Sequence, residues 1–413
     1  MDYLFYSLGT AGDALPFIKL AASLNEKSAR TAFIGNEKFT PIASRMGVEC
    51  VQVSSRSAYE KTYNNALTWS TRHAQNHYNE FHFPALKPTF KTIQNLVEQG
   101  HRPLIVYQDT LSGARMAAEE FGLKSCQLVL APSGVGSLLS PSYPLRIQVE
   151  ERLWNEILPQ IRMKVKKDHF DRLIRPLINP ARKELGLSEW GIQDLPDTES
   201  SPSVVALFPK WLKPNPGDWP KQLTNTGFIL GDTHNNQSDT RLDEFIDQYG
   251  SPLVFTFGTG IPVTSLLIDK IRHLCRAVGK PGVFVAYSQT AKLIENGDFP
   301  VLTLPSVPFS HLFARSALVI HHGGIGTCAQ ALACGIPQVI SPYTFDQPDN
   351  AFLLWQLGIS NSVDFLNDPV EQIKNIVVEI MSSENVSKKV KEYQSITTDA
   401  TESSAKFLLS LKE

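Results

Sequence analysis

The feature that most constrains this 413-residue chain is a rhythm: short apolar runs alternate with stretches of helical periodicity, and the alternation occurs twice. YLFYSL is followed by LPFIKLAASL and RTAFIG, and later PLIVYQD by SGARMAAEEFGL and SCQLVLAP. An apolar run without polar alternation suits a strand covered on both faces, and a helical pattern between two such runs is the crossover of a βαβ unit. The rhythm breaks between about Ser140 and Ser203, a segment rich in Pro, Trp, Arg and Lys that reads as an insertion. It resumes with PLVFTFGT, LLIDKIRHLCRAVG, PGVFVAYS, ALVIHH and PQVISPY. The expected fold class is therefore α/β, two doubly wound Rossmann-like domains facing a central cleft. The length and the 42% hydrophobic content are enough for two cores. Residues 1–210 are expected to form the first domain, the Pro- and Gly-rich residues 211–228 a linker, and residues 229–395 the second domain, with 396–413 as a final helix.

Composition removes several classes of function. A net charge of -2 with acids and bases nearly matched offers no field for nucleic acid. Five cysteines form no CxxC pair and leave one over, which fits a reducing compartment and a cytoplasmic location. Tyr3 to Leu8 is too short an apolar stretch for a signal sequence or membrane span, so folding is expected to start almost at Met1.

Chemistry concentrates in His321-His322-Gly323-Gly324-Ile325-Gly326-Thr327, where a strand ends in two histidines and three glycines in four residues lead into a helix. Glycines let a phosphate approach the backbone, and free amides at a helix start favour an anion. His322 adds a donor that can be cationic and Thr327 a hydroxyl. Together they can neutralise a diphosphate leaving group without a metal, and no Asp-x-Asp pair is present to hold one. Three readings compete: a tight turn, a sugar-nucleotide site, and a dinucleotide fingerprint, since Gly324 and Gly326 precede Asp346 by about twenty residues. Asp346-Gln347-Pro348-Asp349-Asn350 offers more polar groups than a ribose clamp needs; the side-by-side Asp346 and Gln347 suit sugar hydroxyls. Its bland alternative is a turn before NAFLLWQLG with Asp349 or Asn350 as the cap.

In the first half, Gly9-Thr10-Ala11-Gly12-Asp13 follows the first strand, and Thr10 is counted with the donor-binding residues. Asp13 sits where a base could take an acceptor proton, in concert with attack because an ordinary carboxylate is too weak to deprotonate an alcohol beforehand. Its alternative is a helix N-cap. Asp109, at the end of PLIVYQD, could assist as a second catalytic carboxylate, though capping the helix at Ser112 is the favoured reading. His73 and His77, with His82 nearby, have metal-like spacing but read as a solvated face or lid. The basic run from Arg162 to Lys167, beside Leu153, Trp154, Ile157 and Leu158, could touch a membrane surface or a lipid-like acceptor, and more often such a run is a solvated helix.

At these residues the chain resembles the family 1 nucleotide-sugar glycosyltransferases, above all the bacterial branch with rhamnosyl-, sterol glucosyl- and antibiotic glycosyltransferases. The resemblance rests on GTAGDALPF, ALFPKWLKPNPGDWP, TGFIL, FTFGTG, VPFSHLF and HHGGIGTCAQALACGIPQVISPYTFDQPDNA. It implies a GT-B fold, a C-terminal donor domain, an N-terminal acceptor domain and a last helix crossing back to the latter. It implies His322 as the diphosphate ligand with Gly326, Thr327 and Thr259 beside it, Asp346 and Gln347 on the sugar, the Val307 backbone on the base, and Asp13 as the catalytic base. Ser306 replaces the aromatic residue of plant members, and Gln330 stands where many place a ribose-binding glutamate. Phe309 follows the rhamnosyltransferase-like branch, which tilts the donor toward dTDP-rhamnose or UDP-glucose. The expected function is inverting, metal-independent transfer of a hexose to a small lipophilic acceptor, with no cofactor. The rivals are an NAD(P)-dependent oxidoreductase using Gly324 and Gly326, and a catalytically silent partner of an active transferase.

Overall fold

A computed structural model gives the fold and describes residues 1–63, 78–137, 139–140, 163–164, 166–194, 200–231, 239–258, 263–286 and 299–412. His73, His77, Arg162, Leu153, Trp154, Ile157, Leu158 and Thr259 lie outside the described residues.

Two parallel sheets carry the chain. The first orders its strands β3-β2-β1-β4-β5-β6-β7. These are β1 (Tyr3–Tyr6), β2 (Thr31–Asn36), β3 (Glu49–Ser54), β4 (Leu104–Tyr107), β5 (Ser125–Val129), β6 (Val204–Ala206) and β7 (Leu223–Asn225). The second orders β10-β9-β8-β11-β12-β13. Its strands are β8 (Leu253–Thr256), β9 (Gly282–Val285), β10 (Val301–Leu304), β11 (Leu318–His321), β12 (Gln338–Ile340) and β13 (Ser360–Ser362). YLFY, LIVY, LVFT, GVFV and LVIH are buried at every position. Helices on both faces leave no exposed side for alternation to mark, which is why these runs are uninterrupted in the sequence.

One expectation needs correction. Residues 211–228 were read as a linker, but Leu223–Asn225 within them pairs with β6 and closes the edge of the first sheet. Three half-buried residues, Leu-Thr-Asn, carry too short a pattern to stand out from the surrounding prolines.

The two sheets share packing. Val129, Val135, Phe208, Trp219 and Phe228 from the first half form one buried cluster with Cys328, Ala329, Leu332 and Leu354 from the second. At the end of the chain, helices Glu384–Ile396 and Thr401–Lys412 are separated where the sequence shows its break. The last helix returns to the first half: Ala405 and Leu408 sit in the core formed around β1, and Lys412 Nζ reaches Asp2 Oδ1 at 2.7 Å. Among the described residues no helix is long and apolar enough to cross a membrane.

In each sheet the strand order reverses direction once, between β1 and β4 and between β8 and β11. At such a point adjacent crossovers leave toward opposite faces and open a crevice at the strands' carboxyl ends. The loops after β1, β4, β8 and β11 therefore converge on one region.

Candidate active site

The converging loops line a cleft of about 1040 Å³. Thr10, Asp13, Asp109, Val307, His322, Gly324, Gly326, Thr327, Gln330, Asp346 and Gln347 all reach it, so every described residue expected to act in catalysis or donor binding borders the same space.

The loop after β1 turns at Gly9 with φ of 151° and enters helix Ala11–Glu26 through Thr10. Thr10, not Asp13, is the N-cap; Asp13 is the third helical residue and reciprocates in a capping box. Its Oδ2 accepts hydrogen bonds from the Thr10 amide at 2.7 Å and the Thr10 hydroxyl at 2.9 Å. Thr10, expected on the donor, therefore spends both donors on Asp13. Asp13 Oδ1 accepts from Gln108 Nε2 at 2.7 Å. Burial raises the Asp13 carboxyl above its ordinary value, while the Gln108 and Thr10 hydrogen bonds pull the other way. The cap occupies Oδ2 alone, so Oδ1 of the same side chain, which among the described residues accepts only from Gln108, stays open to the cleft.

Asp109 does not cap the following helix. Ser112 is the N-cap of Gly113–Glu120, its hydroxyl accepting from the Arg115 amide, and it lies closer to the free amides than Asp109 can reach. Asp109 Oδ1 instead accepts from the Leu111 amide two residues on, at 2.8 Å, and Oδ2 lies 3.6 Å from His82 Nδ1. Burial raises its carboxyl and pushes the His82 imidazole down to about 4. His82 stacks on Tyr78 at 5.6 Å between centroids, so the one described histidine of the metal-like trio is built into the cleft wall.

In the second half, the two histidines separate in role. His321 is fully buried; the Gly323 amide donates to its Nδ1 at 3.1 Å and its Nε2 lies 2.9 Å from Gln338 Oε1. The first contact makes Nδ1 an acceptor, so the proton is on Nε2 and the ring is a neutral brace for the turn. His322 faces the cleft, with Nδ1 at 3.5 Å from the Thr256 carbonyl oxygen. Burial pushes it down to about 4, so the cation anticipated at this position is absent from the open site at neutral pH.

The glycines are not equivalent either. Gly323 has a φ of 89°, and a Cβ there would lie 2.8 Å from Ile340 Cγ2. At Gly324 a Cβ would meet His322 Nε2 at 2.6 Å, whereas at Gly326 nothing lies within 4 Å. Gly324 makes room for the chain's own imidazole rather than for a dinucleotide, which leaves the fingerprint reading only Gly326. Helix Ile325–Ala333 begins earlier than the sequence suggested and has no side-chain cap; Gly326 and Thr327 lie in its first turn and line the cleft, with the Thr327 amide donating to the Gly324 carbonyl at 3.0 Å.

Phe345, in the left-handed region with φ of 56°, turns the chain after β12 so that Asp346 opens helix Gln347–Gln356. Asp346 occupies the N-cap without making a cap bond, so neither Asp349 nor Asn350 holds that place. Its Oδ2 accepts from Asn350 Nδ2 at 2.7 Å, and the same Nδ2 donates to the Gly323 carbonyl at 2.9 Å. Burial raises Asp346 to about 6, opposed by the Asn350 hydrogen bond and reinforced by the charges of Asp13 and Asp349. Gln347 Oε1 accepts from the Tyr343 and Thr344 amides, leaving its Nε2 as the group available to a ligand.

Gln108 was not singled out in the sequence. An amide beside an aspartate at a strand end carries no period and no spacing rule; only the adjacency of β4 to β1 brings it to Asp13.

The family described as Erythromycin biosynthesis protein CIII-like, C-terminal domain, matches residues 288–403. The chain is 32% identical over 164 residues to O-mycaminosyltylonolide 6-deoxyallosyltransferase of Streptomyces fradiae, covering 38% of this chain and 35% of that protein. It is 30% identical over 185 residues to an Arabidopsis thaliana sterol 3-beta-glucosyltransferase, covering 42% of this chain and 28% of that one. The matched part thus spans about a third of these relatives' length. The solved structure of the glycotransferase of kitacinnamycin superposes with a TM-score of 0.72 at 17% identity, covering 99% of this chain and 98% of that one. Other neighbours in fold were solved with thymidine diphosphate or with UDP. The chain thus has the GT-B fold, and the parts of its sequence that match are similar to family 1 glycosyltransferases.

Proposed function

We propose that the chain transfers a sugar from a nucleotide diphosphate sugar to an acceptor hydroxyl, with inversion and without a metal ion. The observation that carries the reading is that a carboxylate with a free lone pair, on one sheet, and an uncapped glycine-loop helix start, on the other, open onto one cleft. The diphosphate lies against the Gly326 amide and the Thr327 hydroxyl, with His322 turned toward it. An anion there favours the imidazolium, so nucleotide binding brings a proton to His322 and supplies the cation that the open site lacks. Asp346 and the Gln347 amide take the sugar hydroxyls; Val307 and Gln330 face the nucleoside. The acceptor oxygen attacks the anomeric carbon as its proton passes to Asp13, while the anomeric carbon–oxygen bond breaks and the electron pair leaves with the diphosphate. Fixed dipoles and a cationic imidazole take the charge that a metal would otherwise balance.

The sugar is a hexose, glucose or a 6-deoxyhexose such as rhamnose, carried by UDP or dTDP. Both neighbours in fold that hold these nucleotides and relatives named for a glucosyl or a 6-deoxyallosyl transfer support this range. The acceptor half of the cleft is lined by Phe39, Ile42, Tyr63 and Tyr78, which favours a lipophilic acceptor. A panel of UDP- and dTDP-sugars scored for transfer and for donor hydrolysis tests the reading. Asp13→Ala should lower turnover by about 10²- to 10⁴-fold while UDP or dTDP still raises the melting temperature. Unchanged turnover sinks the assignment of the base, and stabilisation by NAD but by neither nucleotide sinks the transferase. No hydrolysis or transfer with any donor would leave a silent partner protein as the reading.

A further inference from the structure

We infer that Gln108 is a positioning residue that selects Oδ1 of Asp13 as the proton-accepting atom. The inference rests on the transferase reading and adds to it the atom that reacts and the side chain that prepares it.

A carboxylate offers about four lone-pair positions, two on each oxygen. Thr10 fills both on Oδ2, through its amide at 2.7 Å and its hydroxyl at 2.9 Å. Gln108 fills one on Oδ1 at 2.7 Å. One lone pair remains, on Oδ1, and Asp13 lines the cleft. The acceptor proton therefore goes to Oδ1. Its new O–H bond forms as the acceptor oxygen closes on the anomeric carbon, and Oδ2 stays fully engaged with Thr10 throughout.

The Gln108 amide is held in one orientation. Its Oε1 accepts from the hydroxyl of the buried Ser7 at 2.6 Å, and its backbone amide donates to the Tyr6 carbonyl across the β1–β4 pair. An ionised Asp13 can only accept, so Nε2 must face it and Oε1 must face Ser7. The relay Ser7–Gln108–Asp13 thus runs through the first sheet's switch point, with Ser7 and Gln108 placed by the pairing of β1 with β4 and Asp13 by the first turn of the helix that follows β1.

The relay also sets the pH at which Asp13 can act. A donor to the ionised carboxylate favours that form, so removing it raises the pH below which the base is lost. The other charged or titratable neighbours are few. Asp346, after β12, and Tyr63, at the end of helix Arg56–Tyr63, interact electrostatically with Asp13, and Asp109, His322 and Lys19 border the same cleft. None of these is bonded to Oδ1 among the described residues, so the effect of Gln108 is separable from theirs.

The test is the pH–rate profile of donor hydrolysis and transfer for wild type, Gln108→Leu, Gln108→Glu and Ser7→Ala, using the UDP- or dTDP-sugar that wild type turns over. Gln108→Leu should lower kcat about 10- to 100-fold with little change in donor KM and move the acid limb to higher pH. Gln108→Glu should move the limb further, because a second carboxylate then faces Oδ1. Ser7→Ala should shift it least and in the same direction, since it only frees the amide to rotate. Nucleotide-induced stabilisation, read from melting curves with UDP and dTDP, reports that each variant is folded with its donor half intact. Should Gln108→Leu not fold, Ser7→Ala and Gln108→Glu carry the test alone. An active wild type with variants whose acid limb stays in place overturns the assignment of Gln108. A wild type that turns over no donor overturns instead the reading on which it rests.

Discussion

Asp346→Asn separates what the donor half does for the fold from what it does for a ligand. Burial raises the carboxyl from its ordinary 3.8 to about 6, so the native state holds the Asp346 proton up to pH values at which the unfolded chain has released it. The sign follows directly. A raised carboxyl favours folding only while protonated, so its penalty is absent below about 3.8, grows as pH rises, and is complete once pH passes about 6. A shift of about two units at about 1.4 kcal/mol each gives an upper limit of about 3 kcal/mol, and the half-buried position of Asp346 puts the real figure below it. Asparagine keeps the carbonyl oxygen that accepts from Asn350 Nδ2 and cannot ionise. The variant should therefore match wild type near pH 4 and gain up to about 3 kcal/mol by pH 8, which corresponds to at most about 6–12 °C in melting temperature for a domain of this size. Parallel thermal and urea melts from pH 4 to 8 give the difference curve. A constant offset across that range, or a variant less stable at pH 8 than at pH 4 relative to wild type, would refute the burial argument. In turnover the same variant should lose about 10-fold or more in kcat/KM, because a carboxylate that accepts from sugar hydroxyls has been replaced by a weaker acceptor.

Two further substitutions probe the glycine loop. Gly324→Ala drives a methyl against His322 Nε2 and should displace the ring, weakening UDP or dTDP binding about 10- to 100-fold in calorimetric titration. Gly326→Ala, with nothing within 4 Å of its new methyl, should leave stability unchanged or slightly improved; equal effects from the two would refute the division of roles. Asn350→Ala removes one amide that bonds both the Gly323 carbonyl and Asp346, and should lower stability by about 1–3 kcal/mol in urea melts while also raising donor KM.

The sequence announced the architecture because buried parallel strands leave unbroken apolar runs, and YLFY, LIVY, LVFT and LVIH could hardly be anything else once helices separated them. β7 escaped because Leu223–Asn225 is short and half-buried among prolines. The cleft residues were legible as positions: a loop after a strand end must sit at a carboxyl edge, and Asp13, His322 and Asp346 do. Their bonding was not. That Thr10 caps the helix, that Ser112 displaces Asp109 from its expected cap, and that His321 braces while His322 faces the cleft all depend on distances of a few tenths of an ångström. No periodicity records such distances. Gln108 was invisible for a related reason, since its partner is 95 residues away and reached only through the pairing of β1 with β4.

Asn350 has a consequence for how such a chain can diverge. Through one amide it ties the turn after β11 to the turn after β12, so the groups proposed to face the diphosphate and the sugar are coupled and a change in one bears on the other. The wall proposed to meet the acceptor is assembled from separate segments of the other half. Resemblance between distant members should accordingly persist in the second half and fade in the first, and the family match to residues 288–403 falls on that side. The segment from β11 through helix Gln347–Gln356 is thereby marked as the natural unit of exchange: grafted into another member, it should carry donor preference with it and leave the choice of acceptor behind.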